Sequence, residues 1–165
     1  MNGKKPTDLL KEEHKEVLQK LDALKSAIND LSKRDAVSAK LRELGGFFAT
    51  DFWIHFTKEE DALFPEMEKF IPRDAGPIGV MLIEHDDLRK TNDRLQHALG
   101  QYFAGSSIPD TLISIQRDGN DFITVLRDHI FKEDNILFGI ADMHLDTSQN
   151  AAILARFEQI AAGRG

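Results

Sequence analysis

The stretch LISIQRDGNDFITVLRDHIFKEDNILFGI, residues 112–140, decides how the rest of the chain is read. Its apolar positions Leu112, Ile115, Gly119, Phe122 and Leu126 recur in steps of three and four, the spacing of one buried face on an α-helix. The same series runs on through His129 and Glu133 before it resumes at Ile136 and Ile140. Two polar side chains therefore stand where the stripe calls for apolar ones. Residues four apart share a helix face about 6 Å apart along the axis, so His129 and Glu133 can aim an imidazole and a carboxylate at one interior point. Pro109-Asp110 supplies the opening of this helix.

The pattern repeats along the chain. A first helix carries Leu10, His14, Val17, Leu21, Leu24, Ile28 and Leu31, with His14 in an apolar slot. A second is expected to start after Asp35, to pass through Leu41, Leu44, Phe48, Phe52, His55, Glu59 and Leu63, and to stop near Pro65. After the breakers Pro72, Gly76 and Pro77, a third reads Ile78, Met81, His85, Leu88, Asn92, Leu95, Leu99 and Tyr102. A short fifth helix is expected from Thr147 as N-cap, with Ile153, Phe157 and Ile160 on one face and Gly163 ending it. Short connections favour antiparallel neighbours. The expected fold is all-α: an up-and-down antiparallel four-helix bundle with a short additional C-terminal helix, residues 1–165 forming one domain.

Composition narrows the chemistry. With 165 residues and 41% hydrophobic content the chain can bury a continuous core. It has no cysteine, which excludes disulfides, thiolate metal sites and thiol nucleophiles. Any metal must be held by nitrogen and oxygen. A net charge of -7 with both signs scattered offers no basic face for nucleic acid. No apolar run approaches a membrane span and the N-terminus has no signal-peptide core, so the expected location is cytoplasmic.

Four seam histidines and two seam glutamates make one constellation: His14, His55, Glu59, His85, His129 and Glu133. A buried carboxylate without a cation costs several kcal/mol or stays protonated. Four imidazoles and two carboxylates inside a bundle are the donor set from which carboxylate-bridged dimetal sites are built. By donor type alone, imidazole suits zinc, copper, iron and nickel, and carboxylate adds manganese.

The order His, His-x-x-x-Glu, His, His-x-x-x-Glu, together with the segment Glu60-Asp61-Ala62-Leu63-Phe64-Pro65, resembles the hemerythrin-like HHE cation-binding family over essentially the whole chain. The four-histidine, two-glutamate pattern is similar to the di-iron domain of the repair-of-iron-centres proteins. The resemblance implies two iron ions bridged by Glu59 and Glu133, with an oxo or hydroxo group as a third bridge, zinc or manganese being the lesser alternatives. One iron would take His14 and His55, the other His85 and His129. Oxygen-carrying hemerythrins have a further histidine one turn after the third-helix histidine, where this chain has Arg89, and an aspartate five residues after the last histidine, where this chain has Glu133 four residues after His129. Those departures point away from simple oxygen carriage and towards binding or redox chemistry of O2, NO or peroxide in sensing or stress response. The alternatives are an iron-responsive module read by a protein partner, oxygen storage, and a structural zinc bundle. The expected state is a monomer or weak homo-oligomer.

His97 and His144 fall away from the constellation. Asp51, one turn before His55, is either an acceptor that orients that imidazole or a solvated surface carboxylate, and is not counted among the ligands. Arg89 either snorkels beside the seam or closes over the pocket. Phe48, Phe52, Phe56 and Phe122 are read as plain core that also keeps water from the site, Asn92 would set register, and Tyr102 lies too far from His85 to serve it.

Overall fold

The structure, a computed structural model, describes residues 3–74 and 76–163. In chain order the elements are α1 (Pro6–Ile28), α2 (Arg34–Ala49), α3 (Phe52–Lys58), a π-helical turn (Glu59–Leu63), α4 (Phe64–Met67), α5 (Pro77–Phe103), α6 (Pro109–Lys132), a second π-helical turn (Glu133–Leu137), α7 (Phe138–His144) and α8 (Thr147–Ala162). Segments α2 to α4 make the second long rod and α6 with α7 the fourth. α1 packs against α2 and α6, and α5 against α2 and α6, which closes an up-and-down bundle. α8 lies outside it, against α1, α3 and the first π-turn. Among the described residues, no helix is long and apolar enough to cross a membrane.

Local chemistry sets the ends. Pro6, Pro77 and Pro109 each occupy a first helical turn, where their missing N–H is no loss. Gly76 precedes Pro77 with φ of 85°, a conformation that favours glycine. α8 is capped by Asp146 rather than by the expected Thr147. Gln149 N donates to Asp146 Oδ1 at 2.7 Å and Asp146 N donates to Gln149 Oε1 at 3.1 Å, a reciprocal capping box.

The second rod departs from expectation in two ways: it begins at Arg34 and it breaks at Thr50, while its end at Met67 lies near Pro65 as expected. At the break the Thr50 hydroxyl donates to the Gly46 carbonyl at 2.8 Å, competing with the helical ladder four residues after the Gly45-Gly46 pair. At the other end the chain passes into α4 because the π-turn widens the ladder: Phe64 N donates to Glu59 O, five residues back, and Pro65 follows inside the first turn of α4.

The π-turns also shift register. Ile136, expected on the seam, is 54% exposed, whereas Leu137 beside it is 1% exposed. The extra residue in the turn rotates everything beyond Glu133, so Leu137, Phe138 and Ala141 take the core positions. The remaining seam residues of α1 and α5 are buried as expected. The apolar core falls into two clusters. One is built around Leu21, Leu44, Phe48, Phe122 and Leu126, the other around Leu10, Phe64, Met81, Phe138 and Ile153. A polar layer separates them.

Candidate metal centre

That layer is made by His14 of α1, His55 and Glu59 of the second rod, His85 of α5, and His129 and Glu133 of the fourth rod. All six are buried. Each π-turn begins at one of the two glutamates. The six side chains form two overlapping sets, His14, His55, Glu59 and Glu133 on one side and Glu59, His85, His129 and Glu133 on the other, with the donor atoms of each set within 4.8 Å of one another.

Proton placement tests whether the set fits a metal. Every Nδ1 faces a carboxylate oxygen: Asp134 at 2.7 Å from His14, Glu13 at 2.8 Å from His55, Glu60 at 2.6 Å from His85 and Glu84 at 2.8 Å from His129. A carboxylate only accepts, so each Nδ1 carries the hydrogen, and in the neutral imidazole Nε2 presents a bare lone pair. These four Nε2 atoms turn inward on the two glutamates. His14 Nε2 is 3.0 Å from His55 Nε2 and 3.1 Å from Glu133 Oε1. His55 and His85 Nε2 each lie 3.1 Å from a different oxygen of Glu59, and His129 Nε2 is 3.4 Å from Glu133 Oε2. Among the described residues, Glu59 Oε1, both Glu133 oxygens and the Nε2 atoms of His85 and His129 have no hydrogen-bond partner.

Lone pairs this close repel unless a positive charge lies between them. Donor atoms at right angles around a first-row metal, each about 2.1 Å from it, stand about 3.0 Å apart, which is the spacing observed. Four nitrogens and two bidentate-capable carboxylates with oriented outer nitrogens are a donor set suited to such ions. The residues fit a metal site.

Without a metal, protons do this work. Burial, and next the negative charge of Glu133, push Glu59 up to about 8. For Glu133 burial acts upward, but the charge of His129 and the close approach of the His129 and His14 rings outweigh it and hold the carboxyl well below the usual range. Burial opposes a charge on His129, yet Glu133 and Glu84 raise it to about 10. Glu13 is also pulled against its burial, down to about 2, by His55 and Lys58.

Aromatic rings close the layer above and below. Phe56 stacks on His85 with centroids 3.7 Å apart, and Phe138 lies over His14 at 5.7 Å. Phe48, Phe52 and Phe122 fill the core beneath, as expected.

The outer carboxylates were not legible from single-helix periodicity. His55 Nδ1 faces not the candidate Asp51 but Glu13, which reaches across from α1. Arg89 does not close over the centre. Its guanidinium donates to both oxygens of Glu60 at 2.9 and 3.0 Å, and also to Asp86 at 3.2 Å. His97 is exposed, and His144 stacks on Phe70 at 4.6 Å, so both stand apart from the centre as expected. Asn92 accepts from Gln96, and Tyr102 donates to Leu31 O. A signal for the missed carboxylates does exist in the sequence. His55-Phe-Thr-Lys58-Glu59-Glu60-Asp-Ala-Leu63-Phe64 matches His129-Ile-Phe-Lys132-Glu133-Asp134-Asn-Ile-Leu137-Phe138, and Glu13-His14 matches Glu84-His85. The two helical hairpins repeat each other, outer carboxylates included.

Comparison with known proteins agrees with this geometry. The sequence model described as "Hemerythrin HHE cation binding domain" matches residues 5–141. A protein of Salmonella schwarzengrund (strain CVM19633) named "Iron-sulfur cluster repair protein YtfE" is 35% identical over 85 residues, covering 51% of this chain and 39% of that protein. Proteins of the same name from Salmonella paratyphi B and Salmonella newport are 34% identical over the same shares. The match thus spans about two fifths of these relatives' length.

Proposed function

The chain belongs to the hemerythrin HHE cation-binding domain family, and from that membership we propose that it is a non-heme di-iron protein that binds or reacts with O2, NO or peroxide. In this reading His14, His55, Glu59 and Glu133 would hold one iron, and Glu59, His85, His129 and Glu133 the other. The observation that carries it is the set of four inward Nε2 atoms around two buried carboxylates, three of whose four oxygens lack a hydrogen-bond partner among the described residues. A dinuclear iron centre supplies redox chemistry and coordination positions for a small molecule. The chain's own residues set the conditions. The outer carboxylates fix each imidazole with Nδ1 protonated and Nε2 free, and Phe56, Phe64 and Phe138 keep bulk water away.

Four histidine ligands and an Arg89 turned towards Glu60 leave more coordination positions free than a five-histidine carrier has, which favours reaction over simple carriage. The relatives' name, with its reference to iron-sulfur cluster repair, supports a stress-related role. The test is elemental analysis of protein from iron-supplemented cells, with visible spectra before and after dithionite and then NO. Two irons per chain, a colour that bleaches on reduction and a new band with NO are expected. Zinc alone, or no metal, overturns the proposal.

A further inference from the structure

Three of the four outer carboxylates carry a cation. Lys58 Nζ is 2.6 Å from Glu13, Lys132 Nζ is 2.5 Å from Glu84, and Arg89 grips Glu60. Asp134 is the fourth, and among the described residues its only ion pair is with His14 itself. The internal repeat locates the difference. The residue four after His85 is Arg89, and the residue four after His14 is Leu18, an apolar side chain packed against the core. The two halves of the centre thus share ligand types, and their lysine pairs match, but their outer charge differs.

A carboxylate that accepts from Nδ1–H pushes electron density through the ring towards Nε2. A guanidinium at 2.9 Å offsets much of that push, since charges at this range interact strongly in a partly buried setting. We infer that the uncompensated Asp134 and the Arg89-compensated Glu60 make the two metal positions unequal, the His14/His55 position favouring ferric iron and the His85/His129 position ferrous iron. Asp134 and Arg89 are positioning residues that act through His14 and Glu60. The inference rests on the di-iron reading above, and it orders the electrons. The first electron from a reductant such as dithionite goes to the iron at His85/His129, and the second to the iron at His14/His55.

The test is a potentiometric titration of the iron-loaded protein, with the half-reduced sample frozen for Mössbauer and electron paramagnetic resonance spectroscopy. Asp134→Asn removes the uncompensated charge and should raise the more negative midpoint by about tenfold in the reduced-to-oxidised ratio, about 59 mV for one electron. Arg89→Leu should lower the less negative midpoint by a similar factor. Leu18→Arg, which offers Asp134 the missing cation, should reproduce Asp134→Asn. Since Asp134 and Arg89 are both partly exposed, circular dichroism should show their variants folded. Two irons per chain with midpoints that do not move, or that move in the opposite direction, overturn this inference alone. Fewer than two irons in the unaltered protein overturns the di-iron reading and this inference with it.

Discussion

Glu13 Oε1 stands 2.8 Å from His55 Nδ1 although Glu13 is the sequence neighbour of His14 and lies on another helix. Each outer carboxylate of the centre has this character: it flanks one candidate ligand in sequence and holds a different one in space. Glu84 follows the rule with His129, Glu60 with His85, and Asp134 with His14. Glu13→Gln or Glu84→Gln should therefore weaken metal binding about 10- to 100-fold with the helical content unchanged. Competition against a chromophoric chelator measures it, and unchanged affinity would show that the orienting bond is dispensable.

Glu59→Ala or Glu133→Ala should remove both metals together, because each carboxylate belongs to both donor sets. His97→Ala should leave the metal content as it was, since His97 is exposed. Elemental analysis of the three purified variants decides it. Equal metal loss in the His97 variant would refute the ligand assignment.

In the metal-free protein, raising the pH above 7 should lower stability. His129, held up to about 10, contributes stability that is complete below its ordinary value near 6.5 and is lost as pH rises through 10. Glu59, held up to about 8 by burial and Glu133, is neutral in the fold below that pH and becomes a second buried anion above it. Glu59 therefore costs stability as pH rises from its ordinary range to about 8, and His129 from about 6.5 to 10. Both run the same way up to about pH 8 and His129 alone continues to 10, each on the order of 1 kcal/mol per pH unit. Glu133 acts in the opposite sense, but only at acid pH. Metal binding at pH 7 must displace these protons. Thermal melts across pH, and calorimetry of metal binding in buffers of different ionisation enthalpy, measure the two effects. A metal-free melting temperature that is flat from pH 7 to 10 would contradict the proton placement.

The register beyond Glu133 has its own test. Leu137→Ala should cost about 2–5 kcal/mol as a core truncation, and Ile136→Ala less than about 0.5 kcal/mol as a surface change. An uninterrupted α-helix would predict the reverse order. Denaturant unfolding of the metal-free variants separates the two.

Helical periodicity was enough to find the four rods and the six clustered side chains, because α1 and α5 keep one unbroken stripe from Leu10 to Ile28 and from Ile78 to Tyr102. It misplaced Ile136 because a period of 3.6 cannot anticipate an inserted residue. It offered Asp51 to His55 because it looked along one helix. The contact that forms comes from Glu13, across an interface whose register depends on tertiary packing. The end of α8 was placed correctly, but its capping box with Gln149 begins one residue earlier, at Asp146.

The crossing of carboxylates also bears on how the chain is fastened. The first hairpin supplies His14 and His55 but takes Glu133 and Asp134 from the second, and the second supplies His85 and His129 but takes Glu59 and Glu60 from the first. Neither hairpin can finish a metal position by itself. Metal affinity is then partly the free energy of docking one hairpin onto the other, and losing an ion loosens the seam between them. The peptide link at residues 68–76 joins the hairpins along the chain, while the buried clasp joins them in space. A cut in that link should matter far less to a loaded molecule than to an empty one.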